Sequence, residues 1–172
     1  FDAASKKLEV IAVEAKTGDV VWRRDVPVTE VEKVHELGSP ATATPVSDGK
    51  RVYAYFGSVG LLAYDMQGKL LWKFPLPLPK MSFGSGTSPV IVGDRVVLSR
   101  DEREGPYLLA VDGSDGKEVW RQSYSRPSNF GTYATPVMWN GSILVHRQGE
   151  LVGFDPATGK QIWKAEAGAG AS

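Results

Sequence analysis

Short runs of alternating apolar and polar residues, or of β-branched and aromatic residues together, recur from one end of the chain to the other. RVYAYFG (51–57), RVVLSR (95–100) and SILVHR (142–147) are of this kind, as are LLAYD (61–65) and LLWKF (70–74). None keeps the 3.6-residue period of an amphipathic helix, so the pattern predicts strands. The breaks between them read SDGK, VGDR and WNGS. Asp-Gly and Asn-Gly between apolar runs are strong hairpin signals. One stretch, VTEVEKVHEL (28–37), passes for a helical turn or two, but its place between two strand runs predicts a long connector.

The runs repeat. Trp22, Trp72, Trp120 and Trp163 each close a similar phrase: VEAKTGDVVW, AYDMQGKLLW, AVDGSDGKEVW and GFDPATGKQIW. The tryptophans are 50, 48 and 43 residues apart, a period that suits four short strands with their turns. A second phrase lies between them: GSPATATPVSDGKRVYAYFG (38–57), FGSGTSPVIVGDRVVLSR (83–100) and FGTYATPVMWNGSILVHR (130–147). Each has small residues, then Ser/Thr-Pro-Val, a turn and a β-branched run. The order is strand A (the Pro-Val phrase), strand B, strand C, a Gly turn, and strand D with its Trp. Residues 1–172 therefore hold strands C and D of one unit and three complete A–D units, with repeat ends near 22, 72, 120 and 163.

A four-stranded meander with two apolar faces cannot bury both alone. Stacking copies around an axis buries them and leaves only short edges, which is the β-propeller architecture. The Trp on strand D is sized to fill the gap between neighbouring sheets. Gly18, Gly68, Gly116 and Gly159 fit the left-handed position of the C–D turn, and Asp65, Asp112 and Asp155, with Glu14 in the first copy, are placed to cap it. Small residues before strand A (Ala41, Ala43, Gly84, Gly86, Ala134) suit a crowded inner end where sheets converge.

The phrase D-x-x-T-G-K-x-x-W, preceded by the Thr/Ser-Pro-Val strand, resembles the PQQ-like β-propeller repeat of the quinoprotein dehydrogenases and of BamB-type assembly scaffolds. The resemblance runs from about Leu8 to Trp163. It implies an all-β propeller of four-stranded antiparallel blades, with about three and a half blades here, half of a seven- or eight-bladed ring. It implies other blades, of the same or an associated chain, as partners. Phe1 in place of Met, with no leader after it, reads as a processed or truncated piece. The resemblance further implies a non-catalytic binding or scaffold module for a protein or polymer, periplasmic or extracellular in a bacterium. The alternative is part of a PQQ-dependent dehydrogenase whose cofactor site lies mainly outside this chain.

Composition narrows the chemistry. Twenty Lys and Arg balance twenty Asp and Glu, so no positive field is present to hold nucleic acid. No apolar run is long enough for a transmembrane helix. With no Cys there is no disulfide, no thiolate metal site and no thiol nucleophile, and the vicinal cysteine pair of quinoprotein dehydrogenases has no counterpart. No catalytic, cofactor or metal residue is expected within the chain, Trp139 being the one loose candidate for a stacking role. Asp112-Gly-Ser-Asp-Gly-Lys-Glu begins like a calcium loop, but Ser123 stands where the twelfth-position Glu belongs, which leaves an Asp-capped turn. His35 reads as a solvated connector residue and His146 as a strand residue. The run 100–105, of mixed charge, reads as a solvated hairpin tip, and FPLPLPK (74–80) as a stiff connector. The residues best placed to face a ligand or partner are Phe83, Arg100, Phe130, Tyr133, Trp139 and Arg147.

Overall fold

The computed structural model describes residues 1–102, 105–124, 132–147 and 149–167, and these contain fourteen strands and no helix. β1 (Leu8–Val13) and β2 (Val20–Val26) form a two-stranded sheet. β3 (Val46–Ser47), β4 (Arg51–Phe56), β5 (Gly60–Asp65) and β6 (Leu70–Pro75) form a four-stranded meander. β7 (Val90–Val92), β8 (Arg95–Arg100), β9 (Tyr107–Asp112) and β10 (Glu118–Ser123) form the next. β11 (Val137–Trp139), β12 (Ser142–Arg147), β13 (Glu150–Phe154) and β14 (Gln161–Glu166) form the last. All pairings are antiparallel, so the sheets are blades 1 to 4, with strands C and D in the first and A to D in the others. The segment 28–37 is a connector without helix.

Both faces of each inner blade are covered, because alternate side chains enter different cores. Leu61 and Ala63 of β5 pack with Val96 and Leu98 of β8, while Leu62 and Tyr64 of the same strand pack with Leu8, Val10 and Trp22 of blade 1. Val97 and Leu108 turn the other way, onto Ile143, Val145, Val152 and Phe154 of blade 4. The C–D ladder of every blade carries a register shift close to its turn, which re-aims the strand that bears the Trp.

The aimed ring crosses to the next blade. A Cβ added to Gly68 would lie 2.7 Å from the Trp22 ring, and one added to Gly116 would lie 2.6 Å from Trp72; Gly159 sits equally hard against Trp120. These glycines have φ between 70° and 78°, a region that side-chain-bearing residues rarely adopt. Each indole N–H donates to a carbonyl of the same turn: Trp22 Nε1 to Met66 O at 3.0 Å, Trp72 Nε1 to Gly113 O at 3.0 Å and Trp120 Nε1 to Pro156 O at 3.2 Å. The Asp residues stiffen the turns that receive the ring. Asp65 Oδ1 accepts from the Gln67 and Lys69 amides, Asp112 Oδ1 from Ser114, and Asp155 Oδ1 from Ala157 and Thr158. The hydroxyl hydrogen bonds from Ser114 and Thr158, with the turn amides, hold Asp112 and Asp155 below the usual carboxylate range. Glu14 makes a longer version of the cap, accepting from Lys16 N at 3.4 Å.

Trp72→Ala removes a buried ring from between two blades and is expected to cost about 3–5 kcal/mol, as for other buried aromatics. Urea unfolding followed by circular dichroism measures it; a loss under about 1 kcal/mol would show that the ring does not join the blades.

Candidate functional site

In an up-and-down meander, A–B and C–D turns lie at one end of each blade, and B–C turns and blade-to-blade connectors at the other. The connector end holds the unusual chemistry. Three connectors cross it: 27–45, 76–89 and 124–136, the last described at Tyr124 and from Thr132 onward.

Buried polar side chains pin these connectors. Glu32, in the first, turns inward and accepts from Ser85 N at 2.8 Å and Ser85 Oγ at 3.0 Å in the second. Ser58 Oγ, in the B–C turn of blade 2, accepts from the Glu32 amide at 2.9 Å. Arg100, at the end of β8, pairs with Glu102 and donates from Nη1 to Pro77 O at 2.9 Å. Glu102 also accepts from Lys80 N at 3.1 Å. Asp101 Oδ2 accepts from Thr132 Oγ1 at 2.8 Å and Thr132 N at 3.2 Å. Tyr55, Ser99 and Thr132 help line a cavity of about 20 Å³ among these groups, enough for one water. Burial is the main influence on two of them. It raises the Glu32 carboxyl above its ordinary value, against hydrogen bonds from Ser85 and the charge of Arg100, and it pushes the Tyr55 hydroxyl up to about 12.

These contacts differ from the sequence reading of the hairpin tip. Arg100, Asp101 and Glu102 are buried because connectors fold over them; Arg103 and Glu104 lie outside the described residues. Arg100 and Arg147 are both 3% exposed and so are off the free surface. Arg147 lies over the Tyr124 ring at 4.4 Å and pairs with Glu150 at 3.4 Å. Strand register carries a signal for this: Phe56, Arg100 and Arg147 all end a strand B, and Phe56 is itself buried. Trp139 is 60% exposed, yet it pairs with Ser142 at the position that Val92, 7% exposed, holds against Arg95 one blade earlier. Its register is that of a blade-face residue, and its ring is open to solvent. Phe130 lies outside the described residues.

Phe83 and Tyr133 do come together. Their rings are 6.2 Å apart at 68°, and the His35 ring lies 5.3 Å from that of Phe83. The three residues come from the three connectors. Phe83 stays 56% exposed, and Leu37 beside His35 is also open to solvent. Next to this cluster a groove of about 430 Å³ runs between Glu30 and Lys33 of the first connector and Leu78 to Ser82 of the second. Sequence reasoning missed Glu32 and the role of His35, because their partners lie about fifty residues further along. Among the described residues no group of three or more His, Asp or Glu is arranged to hold a metal ion.

The fold and the docked Trp–Gly repeat define a β-propeller built from PQQ-like repeats. The family model described as outer membrane protein assembly factor BamB matches residues 4–172, and the chain belongs to that family. Outer membrane protein assembly factor BamB of Yersinia pestis is 25% identical over 95% of the chain, which spans 40% of that protein. Quinoprotein ethanol dehydrogenase of Pseudomonas aeruginosa is 26% identical over 92% of the chain, which spans 25% of it. The crystal structure of BamB from Moraxella catarrhalis superposes with a TM-score of 0.68 at 21% identity, covering 92% of this chain and 46% of that one.

The raised Glu32 carboxyl sets a sign. Its contribution to stability is full below the ordinary glutamate range and is lost as pH rises through the folded-state value. Measured against Glu32→Gln between about pH 4 and pH 8, the native chain should therefore lose stability as pH rises. Urea midpoints of both proteins test it, and a pH-independent difference between them would remove Glu32 as the cause.

Proposed function

We propose that this chain is a non-catalytic propeller module that binds a protein partner through its connector end and acts in outer-membrane protein assembly, outside the bacterial cytoplasm. The observation that carries the reading is the aromatic cluster of Phe83, His35 and Tyr133. An exposed ring in contact with two others, on loops pinned by buried hydrogen bonds, is a preorganised anchor with little entropy left to lose on binding. Leu37 and the mixed-charge groove beside it would form the rest of the contact. The buried acids and Arg100 support the same reading, because their hydrogen bonds go to connectors rather than to open solvent.

The similarity to quinoprotein ethanol dehydrogenase favours a second reading, in which the chain is part of a dehydrogenase and most of the cofactor site lies elsewhere. Two measurements separate them. Surface plasmon resonance with the purified outer-membrane assembly machinery should show binding that Phe83→Ala weakens at least about tenfold, the loss of one hot-spot side chain. Titration of pyrroloquinoline quinone with calcium, followed by absorbance, should show no stoichiometric uptake. Quinone uptake with no binding to the machinery would favour the dehydrogenase.

A further inference from the structure

At an Asp-Gly or Asn-Gly pair the main-chain nitrogen can attack the side chain before it, because glycine puts no Cβ in the way. The chain has four such pairs: Asp48-Gly49, Asp112-Gly113, Asp115-Gly116 and Asn140-Gly141. In the three Asp pairs both reacting groups are engaged. The Gly49 amide donates to Ser47 Oγ at 3.1 Å, the Gly113 amide to Asp94 O at 2.8 Å and the Gly116 amide to Asp112 O at 2.9 Å. The carboxylates accept in turn: Asp48 from the Lys50 and Arg51 amides and the Tyr53 hydroxyl, Asp112 from Ser114, and Asp115 from Lys117. Against what burial costs it, Asp48 is thereby held down at about 2, and Ser114 and Lys117 lower Asp112 and Asp115. An ionised carboxylate repels a nucleophile.

Asn140-Gly141 is built differently. Trp139 pairs with Ser142, so these two residues are the whole of the β11–β12 loop. Their φ angles, 46° and 78°, are those of the tight hairpin turn that Asn-Gly favours. Among the described residues the Gly141 N–H donates to no acceptor, and the neutral Asn140 amide makes no hydrogen bond. Nothing lies within 4 Å of where a Gly141 Cβ would be. Gly49 and Gly93, in the A–B turns of blades that have a later neighbour, are as open, so the exposure comes from the hairpin and not from the blade's place in the row.

We propose that Asn140 is a self-modification site, converted by the main chain at Gly141 to aspartate and isoaspartate with water as the only co-reactant. The Gly141 nitrogen gives its proton to solvent, and its electron pair bonds to Asn140 Cγ. The Cγ–Nδ2 bond breaks, and the amide nitrogen leaves as ammonia after taking a proton from solvent. Water then opens the cyclic imide. Breaking its Cγ–N bond gives an aspartate and restores the main chain. Breaking the bond from the nitrogen to the Asn140 main-chain carbonyl gives an isoaspartate, whose main chain runs through Cβ and Cγ and is one methylene longer. Ring closure requires the 140–141 peptide to turn over, and no hydrogen bond from the Asn140 side chain or the Gly141 amide opposes that. A longer main chain spoils a two-residue turn. β11 has three residues and pairs with β12 alone, whereas Ile143 and Val145 of β12 lie in the core, so β11 is the strand that shifts. None of this depends on the function proposed above.

Incubation of the folded 172-residue chain at neutral and at mildly alkaline pH, with peptide mapping by mass spectrometry at intervals, tests it. Fragment ions should place the amide-to-acid mass gain at Asn140. The isoaspartate there should accept a methyl group from S-adenosylmethionine when isoaspartyl methyltransferase is added. Conversion should be faster at the higher pH, because the deprotonated nitrogen is the nucleophile. Asn140→Gln, whose longer side chain closes a larger ring more slowly, should suppress it, with circular dichroism showing that each sample is folded. An Asn140 that stays intact in the folded chain but converts in urea would show that the hairpin protects it and would overturn the proposal. Conversion that begins at another amide, or an aspartate formed with no methyl-accepting isoaspartate, overturns it as well.

Discussion

An indole ring laid flat on a glycine is the contact on which this structure rests. The glycine serves twice: it takes the left-handed backbone that the tight turn requires, and it leaves the space that a side chain would fill. The ring brings a large apolar area and one polar hydrogen, and the turn supplies the carbonyl that satisfies it. Without the ring the outer strands would diverge with an open wedge between them, and the inner cores, rich in Val, Leu and Ala, would be reached by water from the rim.

The connector end is held in another way. Its loops have few apolar side chains to bury, so acids, hydroxyls and Arg100 fix them. Buried charges of this sort add little net stability, because taking them out of water offsets much of their attraction. What they confer is position: Glu32 meets both Ser85 and the turn after β4, and so sets where the first connector lies relative to the second. Phe83 follows Lys80 and Ser82 in the second connector and inherits that placement. The exposed aromatic cluster thus depends on carboxylates that do not touch it.

Much of the fold was legible because its determinants are local. Trp, Gly and Asp recur at fixed offsets within each repeat, and Asn-Gly and Asp-Gly turns mark the hairpins. The burial of Arg100, Asp101 and Glu102 was not legible from the local run, since mixed charge in a loop is as a rule solvated, and what covers them arrives from residues 77, 80 and 132. Glu32 was hidden for the same reason. Trp139 is the opposite case: an isolated aromatic suggests a ligand, while its register matches that of the buried Val92, and the ring itself is exposed. Aligning strands across repeats, residue by residue, recovers both Arg100 and Trp139; nothing in the sequence alone joins His35 to Phe83.

The acceptor for each indole is a backbone atom, carried in turn by Met66, Gly113 and Pro156. The Met66 turn is also one residue shorter than the other two, and the bond survives. The turn can therefore drift in side chain, and somewhat in length, provided the glycine and one carbonyl keep their places. Divergence is then cheap everywhere except at a few atoms per blade, and a propeller of this design can lose most of its sequence resemblance to its kin while its backbone still superposes on theirs.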